Sequence, residues 1–233
     1  MNKRRIDKRR YIVSFVITLA IFSLGYFLGF VMENIRIDYF EEAYEKQELG
    51  FKSLQLQYQL AESNILKENC KGLKELFNTF VQDLEQQRSR LEAYSRETNI
   101  NEEEFKVMKR KYTLSQINFW YIANLLKERC PEEGDFVTIL YFYGDEKDCP
   151  RCEEQGIILD YFKLKLGNKL FTFALDSNFE EEPTIQLLMS TYNVSSLPGL
   201  VVDSKTYGFL TKEELGEILC SKIEDEEAMS KIC

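Results

Sequence analysis

Histidine is absent from the 233 residues of this sequence, and proline is scarce. Without an imidazole, the chain cannot form a Ser–His or Cys–His catalytic pair, nor a zinc site with histidine ligands. All four prolines lie from Pro131 onward. Because proline interrupts helices, the first half of the chain is free of the strongest helix breaker, and long helices are favoured there.

Charge is distributed unevenly along the chain. The formal net charge is -9, yet the first ten residues, MNKRRIDKRR, carry a strong positive excess. The remainder is acidic, which argues against nucleic acid as a partner of the bulk of the protein. Hydrophobic residues make up 44% and charged residues 30% of the sequence, so the chain can build a core and is not disordered as a whole.

A long uncharged run follows the basic segment. YIVSFVITLAIFSLGYFLGFVM, residues 11–32, contains neither charge nor proline. About 20 such residues suffice to cross the hydrocarbon core as a helix. No small-residue cleavage site follows the run, which therefore predicts an uncleaved transmembrane helix rather than a signal peptide. Gly25 and Gly29 form a G-x-x-x-G spacing that would let two such helices pack as a homodimer, unless the spacing is fortuitous.

The basic residues give this predicted anchor an orientation. Positive charge stays on the cytoplasmic side of a membrane. Residues 1–10 are therefore predicted to be a cytoplasmic tail, and everything after the anchor to be extracytoplasmic, in a single-pass protein of the cell membrane. The extracytoplasmic space is usually oxidising, so disulfides can persist there.

Residues 33–130 form a proline-free region with helical periodicity. Apolar side chains recur at a 3–4 spacing in three successive sets, which begin at Ile37, Cys70 and Phe105. This pattern predicts amphipathic helices with coiled-coil seams. Asn101, followed by three glutamates, is typical of a helix N-cap, so helices over 71–97 and 102–129 are predicted to form an antiparallel hairpin. The region has no catalytic constellation and is interpreted as a spacer, a partner-binding surface, or both.

Cys70 and Cys130 lie at equal distances from the predicted turn near Ile100. Helical arms of equal length, rising 1.5 Å per residue, would bring the two cysteines level at the open end of the hairpin. This geometry predicts a structural Cys70–Cys130 disulfide. Sequence alone does not fix cysteine connectivity, and two free thiols remain the alternative.

After Pro131 the pattern changes to short apolar runs separated by turn residues. Phe136–Tyr143 and Lys169–Ser177 are rich in β-forming residues and predict buried strands. Two further strands are predicted in SSLPGLVV and KTYGFL, with helices in the intervening segments. Thr211 and Glu214 have the spacing of a capping box that would start the last helix. The predicted order is strand, helix, strand, helix, strand, strand, helix.

The segment DCPRC, residues 148–152, joins the first of these strands to its helix. Cys149 and Cys152 are compatible with a redox pair, half of a four-cysteine zinc site, or a plain structural bridge. A second C-x-x-C is absent, so the zinc site is disfavoured and no metal site is predicted. Cys220 and Cys233 remain, and the sequence leaves open whether they form a bridge.

DCPRC and the stretch TYNVSSLPGLVVDSKTYGFLTKEEL together resemble the thioredoxin fold family, over about residues 134–222. The resemblance implies a thioredoxin-like α/β domain, assigned to residues 134–233. The predicted fold class is thus a multi-part α+β protein. Its parts are a transmembrane helix, an α-helical hairpin or coiled-coil region, and the thioredoxin-like domain.

The resemblance also implies roles for individual residues. Cys149 would be the nucleophile, partly exposed at a helix N-terminus that stabilises its thiolate, and Cys152 would be the resolving thiol. Pro198 matches the proline that is cis in the family and faces the cysteine pair. Pro150 stiffens the loop between the cysteines, and Arg151 lies within it. No cofactor is expected beyond the redox-active disulfide itself.

Two positions depart from the family pattern. Asp148 stands where the family has an aromatic residue, and Tyr141 falls where thioredoxins have a buried acid. Five carboxylates also surround the cysteine pair, and they oppose thiolate formation: Asp145, Glu146, Asp148, Glu153 and Glu154. Lys147 and Arg151 act in the opposite sense and favour the thiolate. The sign of the net effect, and with it the direction of the redox reaction, is therefore left open.

Two functions follow from these observations. The leading hypothesis is a membrane-anchored, extracytoplasmic thiol–disulfide oxidoreductase that exchanges disulfides with protein thiols and disulfides through Cys149 and Cys152. The alternative is a non-catalytic thioredoxin-like interaction module in a membrane assembly, with the helical region binding a partner. The intact cysteine pair favours the enzyme, whereas its altered flanks favour the module.

Overall fold

The computed structural model describes residues 13–27, 69–96 and 100–233, together with Leu56 and Gln59. Two compact units are distinguished, Met1–Gln59 and Leu60–Cys233. In the first unit, residues 13–27 are helical and are called α1, and Leu56 and Gln59 are helical as well. Gly25 lies on this helix, whereas Gly29, the basic tail 1–10 and the segments 28–55 and 60–68 lie outside the described residues.

The prediction of a transmembrane helix over residues 11–32 is wrong. Within the described ranges, no helix combines the length and the apolar character needed to span a membrane. Two further predictions that depended on this helix are therefore also wrong. They are the single-pass location in the cell membrane and the transmembrane part of the predicted fold class.

The second unit begins with two long antiparallel helices, α2 (Cys70–Ser95) and α3 (Glu102–Arg129). Asn101 caps α3, because its side-chain oxygen accepts hydrogen bonds from the backbone N–H groups of Glu103 and Glu104. The sequence predicts both this cap and the antiparallel hairpin that α2 and α3 form, and both are confirmed. Asn69 caps α2 in the same way, through the N–H of Gly72.

A four-stranded sheet follows the hairpin. Its strands are β1 (Val137–Tyr143), β2 (Leu170–Asp176), β3 (Gly199–Val202) and β4 (Lys205–Tyr207). They lie in the order β2-β1-β3-β4, with β1 parallel to β2 and antiparallel to β3, and β3 antiparallel to β4. The helices are α4 (Cys152–Leu166), α5 (Thr184–Thr191), α6 (Lys212–Cys220) and α7 (Glu226–Met229). Short 3-10 turns occupy Pro131–Glu133 and Gly167–Lys169. The order of strands and helices from β1 to α6 is the order that the sequence pattern predicts.

One face of the sheet packs against α4 and α6. Alternate residues of β1 point to this face, and they are fully or almost fully buried: Val137, Ile139 and Tyr141. Leu159 and Phe162 of α4 and Leu215 of α6 cover them. Thr211 and Glu214 form the predicted capping box at the start of α6, which fixes where this covering helix begins.

The helical hairpin packs against the opposite face. Phe119 of α3 is 1% exposed, and its ring centroid lies 5.2 Å from that of Phe171 and 5.3 Å from that of Phe173, both on β2. Phe77 of α2 lies 5.0 Å from Phe119 and 5.2 Å from Phe136. The hairpin therefore completes the hydrophobic core of the sheet, a role beyond the spacer or partner-binding surface considered from the sequence.

All six cysteines are paired in three disulfides. Cys70 and Cys130 join the open end of the hairpin, with Cα atoms 5.7 Å apart. Cys220, at the end of α6, is bonded to the terminal Cys233. The third disulfide joins Cys149 to Cys152. The presence of disulfide-forming cysteines, expected from the sequence, is thus confirmed.

Candidate functional site

The Cys149–Cys152 disulfide lies at the carboxyl end of β1. A turn follows β1, in which the carbonyl oxygen of Asp145 accepts hydrogen bonds from the N–H of Asp148 at 2.9 Å and from that of Cys149 at 2.8 Å. The carbonyl of Cys149 in turn accepts from the N–H of Cys152 at 3.2 Å. These bonds bring the two cysteine Cα atoms to 5.4 Å, within the range of a disulfide.

Both cysteines are nearly buried. Cys149 is 2% and Cys152 6% exposed, so the prediction of a partly exposed Cys149 is wrong. The reason is that α4 begins at Cys152 rather than at Cys149, and the turn at Asp145 holds Cys149 beneath the loop surface. A cavity of about 310 Å³, lined by both cysteines, gives access to the disulfide.

Tyr141 lies under the cysteine pair. Its hydroxyl donates a hydrogen bond to the carbonyl oxygen of Cys152 at 2.5 Å, which ties the first turn of α4 to β1. Burial raises the pKa of Tyr141 to about 12, so the phenol stays neutral at physiological pH. The group beneath the cysteine pair is therefore an uncharged hydroxyl at physiological pH.

The N-terminus of α4 lies next to the disulfide and is not capped by a side chain. The free N–H groups and the dipole of a helix N-terminus favour an anion, so they would stabilise a thiolate on Cys149 after the disulfide is opened. Glu153 and Glu154, in the first turn, carry like charge and oppose this effect. The site thus contains opposing electrostatic influences on the thiolate.

Arg151 lies between the cysteines but is engaged elsewhere. Its guanidinium group lies 3.2 Å from the centroid of the Phe209 ring and pairs with Glu154 at 3.2 Å. The side chain therefore packs beside α4 and does not line the cavity, whereas Pro150 does. Sequence reasoning did not identify Phe209, because it is separated from Arg151 by more than fifty residues.

Pro198 lies at the same edge of the sheet as the cysteine loop. Its peptide bond with Leu197 is cis, as the resemblance implies. The next residue, Gly199, pairs with Phe142 near the end of β1, and the Leu197 side chain packs so closely on Gly144 that a Cβ there would approach it to 2.9 Å. Pro198 itself is buried and is not among the residues that line the cavity.

The other predicted cysteine pairs do not join this site. Cys70–Cys130 and Cys220–Cys233 form separate disulfides, and neither contributes to the cavity. In the part of the chain that the structure describes, no cluster of three or more histidine, cysteine, aspartate or glutamate residues is arranged to hold a metal ion.

No protein-family model and no curated protein matches this chain. Among solved structures, one titled "Structure of a malarial protein" matches with 22% sequence identity and a TM-score of 0.30. The match covers 39% of this chain and 99% of the malarial chain. At that TM-score the likeness has no bearing on fold or function.

Proposed function

We propose that this chain is a thiol–disulfide oxidoreductase that exchanges disulfides with protein substrates through Cys149 and Cys152. The observation that carries the proposal is the position of this disulfide, which lines an open cavity beside the uncapped N-terminus of α4. The Cys-Pro-Arg-Cys motif between β1 and α4, together with the strand order β2-β1-β3-β4, supports a thioredoxin-like domain as its scaffold.

The reaction conserves atoms and electrons without a further cofactor. A substrate thiolate attacks the sulfur of Cys149, a mixed disulfide forms, and Cys152 leaves as a thiolate. A second substrate thiolate then attacks the substrate sulfur of the mixed disulfide and releases Cys149. Two electrons pass from the substrate dithiol to the protein disulfide, and the two thiol protons end on Cys149 and Cys152. The reverse sequence reduces a substrate disulfide.

A second candidate function is a non-catalytic, thioredoxin-like interaction module. The near-complete burial of Cys149 and Cys152 favours it, because an exchange catalyst must let a substrate sulfur reach one of them. The cavity beside the pair favours the enzyme, because it gives a substrate access to the cysteines, which a non-catalytic module would not require. The two functions differ in whether Cys149 reacts with a substrate thiol or disulfide.

A trapping experiment separates these functions. The full-length Cys152→Ser variant has a single free thiol at Cys149, and it is mixed with a peptide whose lone cysteine carries a 2-pyridyl disulfide. We expect the peptide to accumulate on Cys149, because the resolving thiol is missing, whereas the reduced unsubstituted chain should release the peptide thiol and regain its disulfide. Mass spectrometry measures both products.

The matched control is Cys149→Ser, in which Cys152 is the free thiol at the start of α4. It should react much more slowly than Cys152→Ser. Faster reaction of Cys149→Ser would reverse the roles of the two cysteines, and no reaction of either variant would leave only the interaction module.

A further inference from the structure

The cavity beside the disulfide has an acidic rim. Glu146 and Glu153 line it and are exposed, one from the loop after β1 and one from the first turn of α4. Within the described residues, neither carboxylate forms an ion pair or a side-chain hydrogen bond. The complete lining is Tyr141, Tyr143, Gly144, Glu146, Cys149, Pro150, Cys152 and Glu153.

The nearest cationic side chains do not neutralise this rim. Arg151 packs on Phe209 and pairs with Glu154, so its charge is used outside the cavity. Lys147 is exposed, does not line the cavity and forms no ion pair within the described ranges. Among the residues that the structure describes, no cationic side chain therefore pairs with Glu146 or Glu153 at the rim.

The inner wall of the cavity is aromatic. The rings of Tyr141 and Tyr143 lie 5.7 Å apart, centroid to centroid, and both line the space next to the cysteines. Burial raises the pKa of each tyrosine to about 12, so both rings stay neutral. A neutral aromatic face attracts a cation, and it also accepts the methylene groups of a lysine or arginine side chain.

Access to the disulfide passes through this cavity, because the cysteines are otherwise buried. A substrate must bring its sulfur to Cys149, and the residue next to its cysteine then enters the same space. A side chain with an apolar stem and a positively charged end can pack its stem against the two tyrosine rings while its charge lies near Glu146 and Glu153. An acidic side chain would meet two uncompensated like charges.

We infer that the site is selective for substrates in which lysine or arginine neighbours the reacting cysteine, with Glu146 and Glu153 as the specificity-determining residues. The inference rests on the proposed exchange reaction and names its substrate class. Two carboxylates at exposed positions contribute about 1–2 kcal/mol together, which corresponds to a preference of roughly five- to thirtyfold.

The test compares two peptides that differ only in the residue beside each cysteine, lysine in one and glutamate in the other. They are supplied as dithiols to the oxidised full-length chain and as disulfides to the reduced chain. Each rate is divided by the rate of the same peptide in exchange with hydroxyethyl disulfide or its thiol. This neutral reference removes the effect of the flanking charge on the reactivity of the peptide thiol.

We expect the lysine peptide to exchange roughly tenfold faster than the glutamate peptide at low salt, and the ratio to fall as salt is added. The E146Q/E153Q variant should reduce the ratio to within about twofold of one. The control variant E128Q/E132Q removes the same charge before β1, at the end of the strand opposite the cysteines, and should keep the ratio of the unsubstituted chain.

The outcomes separate this inference from the proposed function. Equal normalised rates for the two peptides, or a preference that survives in E146Q/E153Q, would overturn the inference and leave the exchange reaction standing. Failure of every peptide to exchange with the unsubstituted chain would overturn both.

Discussion

Asp203 connects several parts of the second unit through one carboxylate. It lies in the turn between β3 and β4 and has a backbone φ of 51°, a left-handed conformation that aspartate and asparagine tolerate better than most residues. Lys127 of α3 donates to it at 2.7 Å, and Lys222, just after α6, donates at 2.9 Å. The backbone N–H of Thr138 on β1 donates at 3.2 Å. The carboxylate therefore joins the hairpin, the sheet and the C-terminal segment.

The charge of Asp203 should make stability depend on pH. Burial raises the pKa of this carboxyl, but hydrogen bonds from Lys127 and Lys222 outweigh burial and hold the pKa below its ordinary value of 3.8. A group with a lowered folded-state pKa stabilises the fold above its unfolded pKa, and the contribution is lost as pH falls through the folded pKa. The stabilisation is thus fully present at neutral pH, declines as pH falls below about 4, and is lost once pH has fallen through the lowered pKa of folded Asp203.

We predict that Asp203→Asn lowers the free energy of unfolding by about 1–3 kcal/mol at pH 7. The deficit relative to the unsubstituted chain should shrink as pH falls from 3.8 through the lowered pKa of folded Asp203, where the unsubstituted chain also loses the charge. Urea unfolding at several pH values measures this. Asp160→Asn, at an exposed position on α4, is the control and should change stability little. A deficit that is constant with pH would mean that the charge is not what stabilises the turn.

At the scale of elements, the local parts of the fold were predictable from the sequence. The Asn101 cap and the Thr211–Glu214 capping box each depend on residues within one turn of each other, and both are confirmed. The buried strands β1 and β2 follow from continuous apolar runs. Short-range chemistry decides these features, so a sequence pattern is sufficient to locate them.

The docking of the hairpin on the sheet was not predictable in the same way. Phe119 packs against Phe171 and Phe173, which lie more than fifty residues away in the sequence. The burial of Cys149 likewise depends on the hydrogen-bonded turn at Asp145 and on the sheet beneath it. An amphipathic stripe shows that a face is buried, but it does not show what covers it.

We predict that Phe119→Ala lowers the free energy of unfolding by about 3–5 kcal/mol, because it leaves a cavity between the hairpin and β2. Far-ultraviolet and near-ultraviolet circular dichroism should report one common transition, since helix and sheet share this core. Val107→Ala, on the exposed side of the same helix, should cost much less. Separate transitions for helix and sheet would show that the hairpin folds independently.

The Cys70–Cys130 disulfide should stabilise the hairpin more than the shorter bridge stabilises the C-terminus. It joins residues 60 positions apart, against 13 for Cys220–Cys233. In the chain-entropy model the two contribute up to about 4 and about 3 kcal/mol, respectively. We predict that the double variant Cys70→Ser/Cys130→Ser loses more free energy of unfolding than the double variant Cys220→Ser/Cys233→Ser, as measured by urea unfolding. A larger loss for the Cys220 and Cys233 pair would contradict this ranking.

At the scale of the whole molecule, the three disulfides differ in their surroundings. Cys70–Cys130 joins the ends of two helices and Cys220–Cys233 joins the end of α6 to the last residue, and neither lines the cavity. Cys149–Cys152 lines the cavity beside the uncapped N-terminus of α4. We therefore assign structural roles to the first two and exchange to the third. On this assignment, one disulfide of the chain opens reversibly while the other two persist.

Redox titration of the full-length chain tests this claim most directly. The chain is equilibrated in dithiothreitol and glutathione buffers of graded potential, free thiols are alkylated, and peptide mapping by mass spectrometry gives the reduced fraction of each disulfide. We predict that Cys149–Cys152 has a midpoint between about -270 and -120 mV, the range of exchange catalysts, with the other two still oxidised. Persistence of Cys149–Cys152 below about -300 mV, together with the other bridges, would make it a structural disulfide and contradict the proposed function.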